Sequence, residues 1–255
     1  MTHHASHPVS STNAVSSTNA TSTDELEPAG DVRDRIAWLS RFVTAQRFET
    51  MRSVLANRTR FITLLLEDIY QPHNASAVLR TCDCFGVQDV HIVENRNAYR
   101  INPDVELGTA QWLSLHRYAR TDNNTPAAID RLRASGYRIV ATTPHGETVS
   151  LDDFDASAAP TALLLGNELE GLSQDALQAA DLRLSIPMYG FVESFNISVS
   201  AAIILSRMVH DLRRSGIAWQ LENGEQDRIL LTWLRRSLKK SAALERQYEA
   251  QLPNA

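Results

Sequence analysis

The chain has 255 residues, 43% hydrophobic and 22% charged, with a formal net charge of -5. That size suits one domain of roughly 150 to 200 residues with extensions, and no apolar run reaches the roughly 18 residues that a membrane helix needs. The polar start carries no secretory pattern. Cys82 and Cys84 are the only cysteines, too few for a zinc quartet and too close for a disulfide framework, so a reduced, cytoplasmic setting without a structural metal is expected.

The charge is uneven. Residues 31–60 hold seven arginines, at 33, 35, 41, 47, 52, 58 and 60, against Asp31, Asp34 and Glu49. Residues 207–255 hold nine basic and six acidic groups, whereas residues 61–206 hold nine basic and eighteen acidic ones. Two basic flanks therefore frame an acidic middle, and basic segments attract phosphate backbones whatever the total charge. Solvated helix faces would give the same pattern.

In chain order, residues 1–30 are a Ser/Thr/Asn/Ala tail with an imperfect repeat, SSTNAVSSTNATST, and are expected to be disordered. Residues 31–60 form a basic helical extension, one or two helices with Ile36, Leu39, Phe42, Val43, Phe48, Met51, Val54 and Leu55 inward. Phe61–Glu67 is an apolar run of strand length. Pro72-His73-Asn74 opens a helix, with Asn74 as its expected N-cap and Gly86 as its stop. Val87–Val93 is the next strand, which makes a βαβ unit and a parallel sheet. Further strands are expected at Trp112–Tyr118, Tyr137–Thr142, Ala162–Leu165 and Leu182–Ile186, with helices at Thr125–Ala134 and at Ser173–Ala179, the latter capped by Ser173. Pro103–Gln111 reads as loop. Residues 215–255 form a C-terminal basic extension, with one long amphipathic helix over Asp227–Glu249.

The most unusual stretch is Leu184–Leu205, LSIPMYGFVESFNISVSAAIIL. Its loop, Ile186–Asn196, is too apolar for a solvated turn, so it is expected to touch core or ligand. Ile197–Val209 is nearly uncharged and studded with Ser and Ala, a helix expected to be buried on several sides or at a subunit contact.

Common site patterns are missing. There is no G-x-G-x-x-G, no HExxH and no G-x-S-x-G. Gly166 and Gly171 have P-loop spacing, but Leu172-Ser173 replaces the required Lys-Ser/Thr. What remains is a set of loops at strand ends, Thr142–Gly146, Gly166–Gly171 and Ile186–Asn196, where open α/β sheets bind ligands. Apolar Leu165, Ile186, Met188 and Phe195 beside backbone N–H groups suit an adenine-bearing group.

Three of these stretches carry a resemblance. Pro72 to Thr81 (PHNASAVLRT), Leu165 to Ser173 (LGNELEGLS), and Ile186-Pro187-Met188 with Ser194 to Ser200 (SFNISVS) resemble, in order and spacing, the three motifs of the SpoU branch of the SPOUT methyltransferases. The PHN opening and the GFVESFN run are similar to the TrmH subgroup, which methylates the ribose of guanosine 18 in the tRNA D-loop. The resemblance covers about residues 61–214, the expected catalytic domain. It implies an α/β parallel sheet with a deep trefoil knot, bound S-adenosylmethionine, tRNA as partner, and a homodimer with its sites at the subunit interface.

The resemblance also implies roles. Arg80 would be the catalytic residue, acting electrostatically on a neighbouring phosphate or taking the proton itself. Asn74 would orient Arg80 or the ribose. Glu168 would organise the site, and Ser194 and Asn196 would bond substrate or loop. Thr142, Pro144, Leu165, Gly166, Asn167, Ile186, Met188, Ser194 and Phe195 would contact the cofactor, largely through backbone. Two places depart from the subgroup's pattern: Leu169-Glu170, where relatives carry a Lys beside a neutral or polar residue, and Glu193, which replaces a Gln. Ribosomal RNA as the substrate, and an inactive knotted RNA-binding protein, remain as alternatives.

Overall fold

The structure, a computed structural model, describes residues 29–100 and 102–252. The expected disordered tail lies outside the described residues except for its last two positions, which begin the first helix. Among the described residues seven strands form one sheet: β1 (Ile62–Glu67), β2 (Asp89–Val93), β3 (Ser114–Tyr118), β4 (Arg138–Thr142), β5 (Val149–Ser150), β6 (Thr161–Leu165) and β7 (Leu182–Ser185). Their order is β3-β2-β1-β6-β4-β7-β5 and every pairing is parallel.

β1 and β6 lie at the centre, with every residue of both buried. Their unbroken apolar runs make sense because both faces are covered, so alternation has nothing to select. On one face Leu64, Leu163 and Val140, aligned across β1, β6 and β4, pack under α3 (Pro72–Phe85) and α7 (Ile197–Arg214). On the other, Leu65, Leu164 and Ala141 pack under α5 (Thr125–Ala134) and α6 (Gln174–Ala179). The remaining short helix, α4 (Pro103–Glu106), and a 3₁₀ turn at Thr109–Trp112 occupy the segment expected to be loop.

The two extensions are one structure. α1 (Ala29–Leu39), α2 (Ala45–Leu55), α8 (Asn223–Ser237) and α9 (Ser241–Glu249) form a helical layer. Its core holds Val32, Ile36, Leu39, Met51, Leu55, Ile229, Leu230, Trp233 and Leu234. This layer meets the sheet where β1 and β2 begin: Arg58 donates to the Val87 carbonyl at 3.0 Å, and Thr59 donates to the Trp219 carbonyl at 2.6 Å.

Several expectations are corrected here. The single C-terminal helix is two, because the chain becomes extended at Leu238 (φ -105°, ψ 114°) and α9 folds back on α1. There the Trp38 indole donates to the Leu244 carbonyl at 2.8 Å. Phe42 and Val54, expected inward, are 43% and 41% exposed. Phe42 ends a 3₁₀ turn, Ser40–Phe42, whose tighter winding rotates it off the face of Ile36 and Leu39. The N-cap of α3 is Gln71, with Pro72 at the first helical position, so Asn74 is free to face elsewhere.

The basic outer face is also narrower than expected. Arg33 pairs with Asp227, Arg35 with Asp31 and Glu249, Arg58 with Asp83, and Arg60 with Asp89 and Glu225. These four arginines join the helical layer together and to the sheet. Arg41, Arg47 and Arg52 make no ion pair among the described residues.

Candidate active site

Side by side in the sheet, β1, β6, β4 and β7 end together, which brings the loops after them to one edge. Thr143 N–H donates to the Leu184 carbonyl at 3.0 Å and so aligns two of these loops. The loop after β6 closes on itself: Asn167 and Gly171 exchange both backbone hydrogen bonds at 2.9 Å. A β-carbon at Gly166 would stand 2.2 Å from the Gly171 carbonyl carbon, so only glycine permits this closure.

That tight turn aims Glu168 at the start of α3. Its Oε2 accepts from the Tyr70 amide at 3.0 Å, and its Oε1 accepts from the Gln71 amide at 3.3 Å and from Asn74 Nδ2 at 2.7 Å. Asn74, buried, uses its Oδ1 to accept from Asn196 Nδ2 at 3.1 Å. Asn196 in turn caps α7, its Oδ1 accepting from the Ser198 amide at 2.9 Å and the Ser198 hydroxyl at 2.7 Å. One continuous chain of hydrogen bonds, Glu168–Asn74–Asn196–Ser198, thus links all three motif regions.

Arg80 is not part of it. It is exposed, two turns further along α3, and donates to the Val105 carbonyl at 3.2 Å. Ser194 is exposed and makes no hydrogen bond among the described residues.

Of the residues expected at the cofactor, Ile186 and Met188 are half-buried and Phe195 is 41% exposed. Pro144 is exposed. Leu165 is buried in the core, so only its backbone is available. The Thr142 hydroxyl donates to the Leu164 carbonyl at 2.8 Å. Asn167 Nδ2 donates to the Asp68 carbonyl at 2.8 Å, which fixes the loop rather than offering the amide to a ligand. Half-buried Ile186 and Met188 and the backbone of the turn that only Gly166 allows are the kinds of groups that would line a site for an adenine-bearing ligand.

Two supporting acids were missed. Glu67 is buried and accepts from the Thr125 hydroxyl at 2.5 Å, the Ser173 amide at 2.8 Å and the Ser173 hydroxyl at 2.7 Å, tying α5 and α6 to the end of β1. Asp68, at φ 57°, accepts through Oδ1 from the successive amides of Asn95, Arg96 and Asn97. Burial pushes its carboxyl up, but those amides and the Arg96 guanidinium outweigh it and hold the group below the usual carboxylate range. Arg96 also pairs with Glu170, one of the two departures from the subgroup pattern in that loop, and this pairing holds Glu170 low. The available signal was two acids ending an otherwise apolar strand.

The fold is that of an α/β protein whose loops converge at the carboxyl ends of its central strands, the edge where open sheets bind ligands. More narrowly, the chain belongs to the SpoU rRNA Methylase family, which matches residues 62–206. It is similar to the tRNA (guanosine(18)-2'-O)-methyltransferase of Borreliella burgdorferi, 41% identical over 84% of this chain and 96% of that protein. The Thermus thermophilus enzyme of the same name is 33% identical over 76% of this chain and 98% of that one. Among solved structures, the Aquifex aeolicus TrmH/SpoU tRNA modifying enzyme aligns with a TM-score of 0.68 at 30% identity, covering 76% of this chain and 98% of that one. The SpoU methyltransferase AviRb of Streptomyces viridochromogenes, solved in complex with the cofactor AdoMet, aligns with a TM-score of 0.54 at 29% identity over 64% of each chain.

Proposed function

We propose that this protein transfers a methyl group from S-adenosylmethionine to the ribose 2'-hydroxyl of guanosine 18 in tRNA. The observation that carries the reading is the Glu168–Asn74–Asn196 chain, which joins the three motifs in one network. The two relatives described, both named for guanosine 18, support this position over a ribosomal target. The half-buried Ile186 and Met188 and the backbone at Thr142, Pro144, Leu165, Gly166 and Phe195 would hold the cofactor, which supplies an electrophilic methyl when bound.

The chain's own residues prepare the hydroxyl. A ribose hydroxyl is a poor nucleophile until its proton is drawn away. The role of the Arg80 guanidinium is electrostatic: it would engage a neighbouring phosphate, whose oxygen takes the hydroxyl proton. Asn74, fixed by Glu168, orients the ribose or the guanidinium. Ser194 stands free for the substrate.

Two further features of the reading rest on exposure and packing. Tyr189, Phe191 and Val192 are 96%, 108% and 66% exposed in the single chain, beside Val199 at 43% on the outer face of α7. α7 is buried on one face only, through Ile197, Ala201, Ile204, Leu205, Met208 and Leu212. A patch of this kind calls for a cover, and a second copy that completes the site supplies it. The trefoil threading belongs to the same reading and rests on the resemblance to the SpoU family, with α7 packed beside α3. No described helix is long and apolar enough to cross a membrane, in keeping with a cytoplasmic tRNA enzyme.

The test is methylation of tRNA and of ribosomal RNA by the full chain with labelled S-adenosylmethionine, followed by mapping of the modified nucleotide. Label at guanosine 18 is expected, with Arg80→Ala abolishing it while cofactor affinity stays within about a few-fold. Label confined to ribosomal RNA, or near-normal turnover by Arg80→Ala, would overturn the assignment.

A further inference from the structure

At the corner where α1 turns into α2, the helical layer carries an aromatic and cationic cluster that the site does not use. The Trp38 ring is locked by its bond to the Leu244 carbonyl and lies 6.1 Å from the Tyr248 ring. The Arg41 guanidinium lies 4.9 Å from the centre of the Trp38 ring. Phe42 meets Trp38 edge to face at 5.7 Å and remains 43% exposed. The arginines nearby are mostly spent in ion pairs, but Arg41 is not, and neither are Lys239 and Lys240 at the α8–α9 turn, among the described residues. Lys240 is the N-cap residue of α9, one turn before Leu244, whose carbonyl accepts from the Trp38 indole.

We propose that Arg41 and Phe42, braced by Trp38, form a stacking platform for an unpaired nucleobase of the RNA substrate. A guanidinium over an indole can offer its outer face to a base, and an exposed phenyl ring beside it offers a second surface. Arg41, Lys239 and Lys240, none of them in an ion pair among the described residues, are the cations left for the adjoining phosphates. The helical layer joins the sheet at the beginnings of β1 and β2, whereas the methyl-transfer site lies at the ends of the strands. The junction and the site lie at opposite ends of β1, whose 6 residues span about 20 Å. The platform therefore reads a nucleotide other than the one methylated, and it favours a folded RNA with an unpaired base at that reach over a free helix.

This inference rests on the reading of the protein as a tRNA methyltransferase, and its test is kept separate by measuring binding rather than turnover. Affinity of the full-length protein for a tRNA transcript is measured for the unaltered chain and for Phe42→Ala, Arg41→Ala and Arg41→Lys, with S-adenosylmethionine affinity and thermal midpoint as controls. Each alanine variant is expected to weaken tRNA binding about five- to tenfold, with cofactor affinity unchanged. Arg41→Lys keeps the charge and loses the plane, so it is expected to bind as weakly as Arg41→Ala. Full rescue by Arg41→Lys would reduce the residue to a phosphate contact and overturn the platform, as would unchanged affinity in Phe42→Ala. Absence of guanosine 18 methylation by the unaltered chain would instead remove the tRNA reading itself.

Discussion

Asn74→Asp is the sharpest probe of the hydrogen-bond chain, because it changes one NH₂ into an oxygen without changing shape. Asn74 is buried, and its Nδ2 donates to Glu168 Oε1 at 2.7 Å. With aspartate there, two carboxylates would face each other at that distance, and both cannot stay ionised. One takes up a proton, its folded pKa raised by about 2 to 3 units. At about 1.4 kcal/mol per unit, the variant loses about 3 to 4 kcal/mol at pH 7, nearer the lower figure because Glu168 is only half-buried. The sign is definite. A carboxylic acid with a raised folded pKa destabilises above the unfolded value and recovers as pH falls through the raised value toward about 4. The protonated aspartate then donates to Glu168 while its other oxygen still accepts from Asn196 Nδ2. Denaturant midpoints and methylation rates of Asn74→Asp and Asn74→Ala between pH 5 and 8 measure this. The aspartate deficit should shrink with acidification while the alanine deficit stays flat. Parallel curves for the two variants would refute the reasoning.

Arg58→Ala should destabilise the fold by about 2 to 4 kcal/mol in urea titration, because it removes a buried guanidinium that pairs with Asp83, bonds the Val87 carbonyl and lies 5.4 Å from the centre of the Trp233 ring; a loss under about 1 kcal/mol would mean that the layer and sheet are joined elsewhere. Burial, with help from the charge of His116, lowers the His91 pKa to about 3, so His91 is neutral in the folded protein. The unfolded chain binds its proton first, so stability is lost as pH falls below about 6.5. Between pH 7 and 4.5 the unaltered protein should lose about 2 kcal/mol more than His91→Gln, and equal slopes would exclude His91 as the cause.

The parts of the fold legible in the sequence were those set by local chemistry. Phe61–Glu67 reads as a buried strand because its apolar run has nothing else to be, and Gly86, at φ 78°, marks the end of α3 because a side chain is disfavoured in that conformation. Ser173 caps α6, accepting from the Ala176 amide at 3.2 Å, as its position before a helical pattern suggests. The misreadings have a common cause. A cap at Asn74 is the local reading of its sequence, whereas its partners Glu168 and Asn196 are far along the chain. The arginines of residues 31–60 read as an open basic face because Glu225, Asp227 and Glu249 lie at the other end of the sequence. β5 has two residues, too few to carry any pattern, and exists because β7 offers it an edge.

The Ile186–Asn196 loop separates these two kinds of information. Its composition called for contact, and the single chain leaves Tyr189, Phe191 and Val192 bare while it buries Ile197 and anchors Asn196 through Asn74. The polar end of the loop is thus satisfied within the chain and the apolar middle is not. Burying three such side chains elsewhere in the chain would be worth several kcal/mol at about 1.5 to 3 kcal/mol each, and no segment of the helical layer or sheet covers them. A sequence that retains apolar residues at the tip of a loop whose base is already fixed is specifying a surface from outside the chain. Arg80 obeys the same logic: it is held by the Val105 carbonyl and makes no hydrogen bond to Asn74 or Asn196. The two unsatisfied features, a bare loop and a cation apart from the network it is expected to serve, are the ones that the proposed second copy would meet on its approach.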